Sequence, residues 1–339
     1  MLTQEIKSKA LQLGFTSCGV IPAAAFDEYE DYLNERVKSF PESLELYEPL
    51  YGSIQPPAAG KSIIVCTRRY NRYKVPEGLN GIIAKVYLFD GRLPYAHENR
   101  AKEEFETFLK TLGLSIIKCD VPARWAAVKA GLAKFRLNNF VYSPEHGSYF
   151  WIDTWVVDKE LDYGIPTENS FLSPCGDCRK CIQACPTKAL SGDLSMDRGK
   201  CVAQLSFHTA ELPSESLRPQ MGRWLYGCDI CQDVCPFNQN KFNETEEFPL
   251  LAELEGRLSL ESILEMDEET YIDIIHPRFW YISKDSLWIW QCNALRCMIN
   301  AGDEKYHSLI KGCLHHRDSR VREMALWGCL RLGIDTGEN

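Results

Sequence analysis

The sequence lacks any long apolar run, and it lacks an excess of positive charge. None of its hydrophobic stretches approaches the roughly 18 residues that a membrane-spanning helix needs. Residues 1–7 also lack the charged-then-apolar plan of a secretion signal, so we expect a cytoplasmic protein with no membrane contact. A formal net charge of −9 at pH 7 argues against a protein that coats nucleic acid non-specifically, although a local basic patch remains compatible with it.

The common nucleotide-binding fingerprints are missing as well. No Gly-x-Gly-x-x-Gly segment follows a predicted strand, and there is no phosphate-binding P-loop, so a Rossmann-type nicotinamide or flavin site is not indicated. The composition is otherwise that of a globular protein, with 45% hydrophobic and 25% charged residues. A length of 339 residues is enough for two or three domains.

Cysteine is the residue type that stands out, with fifteen copies. In a long chain without a secretion signal, clustered cysteines indicate metal ligands and not disulfides. The first group has the spacing C-x2-C-x2-C-x3-C followed by proline, at Cys175, Cys178, Cys181, Cys185 and Pro186. This is the run of bacterial ferredoxins, in which the fourth cysteine binds the other cluster.

A second group, Cys228, Cys231 and Cys235, follows the same template but has Leu225 where the first cysteine belongs. Two [4Fe–4S] clusters need eight thiolates, and the two groups supply seven. Cys201 lies between them and is the eighth. A pair of four-cysteine zinc sites is the alternative, but zinc motifs do not show this run. The other seven cysteines are scattered and are expected to be small buried residues.

The crossing of the fourth cysteine assigns the ligands of each cluster. Cluster one takes Cys175, Cys178, Cys181 and Cys235. Cluster two takes Cys228, Cys231, Cys185 and Cys201. The sequence therefore predicts a protein that passes single electrons to a reaction elsewhere in the chain.

The rest of the chain divides by its pattern of apolar residues. Residues 1–165 indicate an α/β domain, with strands predicted near 18–21 and 63–67 and a helix over 97–112. Further elements are a strand over 114–118, a helix over 123–130, a loop over 40–60, and an antiparallel pair, 140–142 with 150–157, joined by a turn at 143–147. Residues 166–245 hold the clustered cysteines, and 246–339 indicate stacked amphipathic helices.

Several segments resemble the epoxyqueuosine reductase family, a relative of the reductive dehalogenases. The resemblance is strongest in the cysteine segments 175–190 and 221–238, and 196–201 carries the isolated cysteine of that family. Segment 143–150 is similar to its S-P-E-Y-G-S-W turn, and 317–327 to its HEAT-like helices.

The resemblance implies a fold, cofactors and an activity. It implies a cobalamin-binding α/β domain, a two-cluster ferredoxin-like domain and a C-terminal HEAT-like domain. It also implies that cobalamin, reduced through the clusters, reduces epoxyqueuosine in tRNA while a nearby aspartate supplies a proton. An external low-potential donor of the ferredoxin or flavodoxin type would feed the clusters.

The resemblance further implies candidate site residues. Asp120 stands where the catalytic aspartate of the family lies, although an aspartate here could instead cap the following helix. Gln204 and Ser206 follow Cys201 and are expected to face the corrinoid or to form an ordinary turn. His146 and His208 are candidate cobalt ligands or structural histidines.

The sequence departs from the family on the substrate side. Segment 120–132 is shorter than the D-x-x-P-V-L-E-R segment and lacks its Glu-Arg pair, and 131–139 lacks the glycines that follow it. These departures favour a divergent paralogue that reduces another substrate, such as an organohalide, and they predict weak tRNA binding. A third possibility is an electron carrier that reactivates a separate corrinoid protein.

Overall fold

The computed structural model describes residues 2–163 and 175–337. The predicted domain boundary at 165/166 lies outside these residues. The protein is a mixed α/β structure. Its strands are β1 Ser17–Pro22, β2 Ser62–Arg69, β3 Ile116–Ile117, β4 Lys134–Phe135, β5 Val141–Tyr142 and β6 Phe150–Val157.

Helices cover both sides of these strands and make up most of the chain after them. The helices up to residue 163 are α1 Leu2–Gln12, α2 Asp27–Ser39, α3 Leu44–Tyr51, α4 Lys85–Leu88, α5 His97–Thr111 and α6 Ala123–Lys129. The cysteine segment contains α7 Lys180–Ala184, α8 Val202–Phe207 and α9 Ile230–Asp233. The later helices are α10 Ala252–Glu255, α11 Leu260–Glu265, α12 Glu268–Thr270, α13 Leu287–Ala301, α14 His307–Gly312 and α15 Ser319–Leu332.

One four-stranded sheet, in the order β1-β2-β6-β3, organises the first half of the chain, and each of its pairings is antiparallel. Strand β2 is buried along almost its whole length because both faces of the sheet are covered. Ile63 and Val65 pack toward α2, α3 and α6, whereas Ile64 and Cys66 pack toward α1 and α5. This alternation is the two-residue period of a strand between two helical layers.

Most of the elements predicted from the apolar pattern are confirmed. Strands β1 and β2, helices α5 and α6, and the long C-terminal helices lie within a few residues of their predicted bounds. The strand predicted over 114–118 is reduced to the two residues of β3.

The prediction of a loop over 40–60 was wrong. Helix α3 occupies 44–51, directly after a short helical turn that begins at Pro41. A proline suits the first position of a helical turn, where its missing N–H is not needed. Tyr47 and Tyr51, one turn apart, pack into the same apolar core as α2. The high proline and glycine content had concealed this helical spacing.

The predicted antiparallel pair of 140–142 with 150–157 was also wrong. Strand β5 pairs with β4, and β6 pairs with β2 and β3. A tight turn causes this, because Asn139 adopts a left-handed φ of 63° and its N–H donates to the carbonyl oxygen of Arg136. The chain therefore reverses before Phe140, and β4 and β5 form the hairpin. The predicted turn at 143–147 is present, with Ser143 bridged to Gly147.

The largest apolar core joins parts of the chain that are far apart in sequence. Side chains between residues 70 and 96, such as Tyr73 and Phe89, pack in one cluster with Phe248, Trp290 and other residues of the C-terminal helices. The predicted division at 245/246 is not tested by this packing and stays a prediction. No helix within 2–163 and 175–337 has the length and apolar character to cross a bilayer.

Helix α13 is connected to the cysteine segment through a row of polar side chains. Asn293 donates to the carbonyl oxygens of Ser206 and Leu225, at 2.8 and 3.0 Å. Arg296, 1% exposed, donates to the carbonyl oxygens of Gly222 and Trp224. These bonds satisfy the backbone of a loop that would otherwise hold unpaired buried carbonyl groups.

Candidate functional site

The eight motif cysteines lie on three short helices and the turns beside them. Cys181 is in α7, and Cys185 directly follows that helix. Cys201 is the N-cap residue of α8, and Cys231 is in α9. Helices α7 and α9 pack against each other, which brings the two motifs together. All fifteen cysteines lie within the described residues, and none of them forms a disulfide.

One group of thiols is buried and mutually close. Burial raises the pKa of Cys231, and neighbouring Cys228, Cys201 and Cys185 raise this pKa further. Cys185 also packs in one small cluster with Cys201 and Cys231. These four residues are the set that the spacing assigns to cluster two.

The second group lies nearer the surface. Burial raises the pKa of Cys181, and the nearby Cys235 and Cys175 act in the same direction. The Nη1 atom of Arg136 donates to Cys175 Sγ at 3.7 Å. With Cys178, whose N–H donates to the Cys175 carbonyl oxygen, these are the residues assigned to cluster one.

The surroundings of the thiols suit iron–sulfur ligation. The N–H of Ala189 donates to Cys185 Sγ at 3.2 Å. Backbone N–H groups also lower the pKa of Cys201 and of Cys228 against the effect of burial, which raises both. Such donors stabilise a thiolate that binds iron, and metal binding offsets the cost of deprotonating a buried thiol.

The geometry differs from that of a site for one ion. In the described ranges, 2–163 and 175–337, no three His, Cys, Asp or Glu side chains are grouped to hold a single metal ion. A four-iron cluster needs four cysteines, each on its own iron.

Beside Cys201 stands a group of rings that we call the aromatic wall, formed by Tyr87, Phe207, His208 and Tyr281. The Phe207 and Tyr281 rings are stacked with centroids 4.9 Å apart, and Tyr87 meets Phe207 edge-on at 5.8 Å. Burial raises the pKa of Tyr87, and Cys201 is close enough to raise it further. The wall thus combines one stacked pair of rings with rings that meet it edge-on, next to the thiol group around Cys201.

Gln204 and Ser206 lie on α8, next to the aromatic wall. Their side chains differ in how many of their polar atoms are already hydrogen-bonded within the protein. Gln204 is 7% exposed, and its Oε1 accepts a bond from Arg198 Nη2 at 2.8 Å. Ser206 is fully buried: its hydroxyl donates to the Ala203 carbonyl oxygen and accepts from the Gly227 N–H at 2.9 Å. A contact between Ser206 and a ligand would require one of these bonds to open.

The N–H that donates to Ser206 belongs to a turn at Gly227, and this turn requires glycine. Gly227 has a φ of +74°, and a Cβ atom there would stand 2.6 Å from the Tyr87 ring and 2.7 Å from Ala84. Only glycine permits both the backbone conformation and the close approach. The turn thereby positions Tyr87 of the aromatic wall next to Cys228.

Asp120 is exposed, in the connection between β3 and α6. Helix α6 begins at Ala123 with Pro122 as its N-cap, so Asp120 is not the residue that caps it. His208 belongs to the aromatic wall, whereas His146 lies in the turn at 143–147 with its Nε2 atom 3.5 Å from Glu145. The structure thus brings the cysteines and Gln204 together and leaves Asp120 on a surface connection.

Sequence reasoning missed a set of arginines near Gln204, namely Arg36, Arg124 and Arg198. Arg198 stands three residues before Cys201, and Arg124 four residues after Asp120, so both lie inside the segments that carried the resemblance. Their position next to candidate site residues was the sequence signal that could have identified Arg124 and Arg198. Arg36 in α2 had none.

Comparison with known proteins identifies the family. Residues 174–238 match the family described as a 4Fe-4S double cluster binding domain. The epoxyqueuosine reductase of Cellulophaga algicola is 30% identical over 271 residues, covering 75% of this chain and 84% of that protein. The enzyme of Cyclobacterium marinum is 28% identical over 272 residues, with the same coverage.

Solved structures agree with this assignment at the level of the fold. An epoxyqueuosine reductase from Bacillus subtilis, with its catalytic aspartate loop swung out of the active site, superposes with a TM-score of 0.78 at 23% identity, covering 98% of this chain and 90% of that one. A crystal structure of epoxyqueuosine reductase with an epoxyqueuosine-modified tRNA-Tyr stem loop gives the same values. The sequence likeness over three quarters of the chain, together with the shared fold, shows that this protein belongs to the epoxyqueuosine reductase family.

Proposed function

We propose that this protein reduces epoxyqueuosine in tRNA to queuosine, with cobalamin and two [4Fe–4S] clusters as cofactors. The observation that carries the proposal is the 30% identity to an epoxyqueuosine reductase over 271 residues. The crystal structure of such a reductase with a tRNA stem loop supports tRNA as the substrate despite the net charge of −9. A tRNA substrate also favours a cytoplasmic location.

In this proposal the eight cysteines hold the clusters in the two sets assigned by their spacing. When bound, the clusters supply single electrons and the cobalamin supplies the reducing cobalt centre. The buried thiol group around Cys201 lies next to the aromatic wall, so cluster two is the one adjacent to the corrinoid. Tyr87 and Tyr281 would cover one face of the corrinoid, and the Gln204 amide would bind a side amide of the ring.

The surface thiol group is the proposed entry point for electrons. Within residues 175–188, which hold three of its four cysteines, the exposed charged residues are the basic Arg179, Lys180 and Lys188 and one acid, Asp177. A basic surface attracts an acidic partner and accelerates its association. We therefore propose that an acidic ferredoxin or flavodoxin docks here and reduces the cluster held by Cys175.

Asp120 is the proposed proton donor. A donor must come within hydrogen-bonding distance of the oxygen that it protonates. Asp120 is exposed, and the corresponding loop of the Bacillus subtilis structure is swung out of its active site. The connection between β3 and α6 would therefore move toward the aromatic wall when substrate binds.

The proposed architecture has three parts, as the resemblance implies. The sheet and its two helical layers form the corrinoid-binding α/β part, followed by the cluster segment. Helix α13 packs against α11 and α15, an arrangement that supports a HEAT-like reading of the C-terminal helices.

The test is single-turnover reduction of epoxyqueuosine-containing tRNA by the reduced protein, with clusters and cobalamin reconstituted. We expect turnover by the parent and its loss in Asp120→Asn, while Asp273→Asn, another exposed aspartate, retains it. Absence of turnover in a parent with both cofactors bound would point to another substrate. A parent that retains no corrinoid would indicate the electron carrier.

One observation favours the second candidate, a paralogue with a different substrate. The arginines of the C-terminal helices have partners within the protein: Arg317 pairs with Glu268 at 2.6 Å, and Arg320 with Asp318 at 2.6 Å. Paired arginines contribute less to binding of RNA phosphates. In that case the same cofactors would reduce a small molecule such as an organohalide.

A further inference from the structure

Three arginines from distant parts of the chain converge at one place. Arg36 lies in α2, Arg124 in α6, and Arg198 just before α8. Asn139 joins the first two: Arg36 Nη2 donates to its Oδ1 at 3.0 Å, and Arg124 Nη1 donates to its carbonyl oxygen at 2.6 Å. The third, Arg198, donates to Gln204.

The three guanidinium groups are close enough to influence one another. Burial lowers the pKa of Arg36, and the nearby Arg124 lowers it further. Burial also lowers the pKa of Arg198, on which Arg124 acts in the same direction. Arg36 is buried and Arg198 is half-buried, so water screens their repulsion from the exposed Arg124 only in part.

A compensating carboxylate is missing from the described part of the chain. None of the ion pairs within residues 2–163 and 175–337 includes Arg36, Arg124 or Arg198. The nearby Asp197 is occupied elsewhere, since it accepts from Ser43 Oγ at 2.9 Å and pairs with Lys200 at 3.0 Å. Unpaired cations in a buried place are costly, and a bound anion removes that cost.

Two donor atoms remain available for such an anion. The Nε atoms of Arg36 and Arg198 are buried and have no hydrogen-bond partner among the described residues. Arg36 is itself only 6% exposed, so water does not satisfy it freely. Guanidinium groups have a planar fork of donors that matches the oxygens of a phosphate group.

The location connects these arginines to the candidate cofactor site. Burial raises the pKa of Tyr281, and Arg124 and Arg198 are close enough to counteract that rise. Arg124 acts in the same way on Tyr87. Arg124 and Arg198 therefore lie near the aromatic wall.

We propose that Arg36, Arg124 and Arg198 bind a phosphodiester group. This inference rests on the proposed function, which brings two sources of that chemistry: the nucleotide loop of cobalamin and the backbone of the RNA. The buried Arg36 and the half-buried Arg198 form the floor of the proposed site, and the exposed Arg124 lies on its solvent side.

The first arm of the test compares two corrinoids. Hydroxocobalamin contains the phosphodiester, and cobinamide lacks the nucleotide loop. We would titrate each into the cluster-loaded protein and measure its dissociation constant by absorbance. The variants are Arg124→Gln and Arg198→Gln, and the matched control is Arg257→Gln, an exposed arginine of the C-terminal part. If cobalamin supplies the phosphodiester, each variant reduces the preference for cobalamin over cobinamide about tenfold, and the control does not.

The second arm uses an unmodified anticodon stem-loop RNA, with anisotropy measured at several salt concentrations. If RNA supplies the phosphodiester, the variants weaken RNA binding and reduce its salt slope by about one, while the corrinoid preference stays unchanged. Variants that match the parent in both arms would overturn the site. A parent that binds neither corrinoid nor RNA would overturn the proposed function with it.

The variants also need a structural control. Iron content and thermal unfolding of Arg124→Gln report whether the fold survives, and this exposed position should leave both unchanged. If Arg198→Gln fails to fold, Arg124→Gln alone decides the outcome in both arms.

Discussion

Cys201 has the least motif support of the eight cysteines, yet its surroundings resemble those of the others. It begins α8, where the N–H groups of Ala203 and Gln204 lower the pKa of its thiol against the effect of burial. A helix N-terminus favours a negative charge on its first residue. In the proposed assignment, the N-terminus of α8 would help Cys201 to bind iron as a thiolate.

We predict that Cys201→Ala lowers the iron content from about eight to about four atoms per chain. Cluster two would lose a ligand, while the surface group around Cys175 would keep its four. Iron analysis and the visible absorption of anaerobically purified protein measure this. Cys119→Ala, a half-buried cysteine outside the motifs, should match the parent. An unchanged iron content in Cys201→Ala would refute the assignment of this ligand.

Residues could be predicted from the sequence where their chemistry depends on local spacing. The C-x2-C-x2-C-x3-C run places its four cysteines within eleven residues, so no knowledge of the fold was needed to predict them as ligands. The arginines at 36, 124 and 198 meet only because α2, α6 and the segment before α8 pack together. No spacing along the chain encodes that meeting, and the proposed role of Asp120 would depend in the same way on how its connection moves.

At the scale of elements, α13 connects the C-terminal helices to the cysteine segment. Arg296 is buried in this helix without a carboxylate partner among the described ion pairs, and burial lowers its pKa. Its donors instead satisfy the carbonyl oxygens of Gly222 and Trp224, just before Cys228. The helix therefore fixes the loop that leads to Cys228, a proposed ligand of cluster two.

We predict that Arg296→Met destabilises the protein by about 2 kcal/mol, because it leaves these carbonyl oxygens unpaired in a buried place. Calorimetry should show an apparent Tm lowered by a few degrees. Arg331→Met, an exposed change in the neighbouring helix α15, should leave the Tm within error. Equal Tm values for both variants would show that Arg296 does not hold the loop.

Elements whose apolar residues follow one clear period could be predicted from the sequence. Elements whose course depends on a turn could not. Helix α5 follows its apolar spacing from His97 to Thr111. The β4–β5 hairpin depends on the left-handed conformation of Asn139, which the sequence permits but does not require. Helix α3 was hidden because prolines near its start and end outweighed its short apolar pattern.

The whole molecule is held together by the core that residues 70–96 share with the C-terminal helices. Tyr281 of the aromatic wall also comes from that C-terminal part. Without the C-terminal helices, residues 70–96 would therefore lose much of their core, and the aromatic wall would lose Tyr281.

We predict that a chain ending at residue 245 exposes apolar surface and binds no corrinoid. Dye binding and cobalamin titration measure the two effects. A chain that ends at Leu332, after the last turn of α15, should behave like the parent. If the shorter chain folds and binds cobalamin, the shared core is not needed for the site.

The shared core also has a consequence for the growing polypeptide. Tyr73, Phe89 and their neighbours leave the ribosome more than 200 residues before Met324 and Cys329, which complete their packing. At about 5–20 residues per second, this interval lasts on the order of ten seconds or more. During that time the core around the segment is incomplete, so holding chaperones would shield it until translation reaches the last helix.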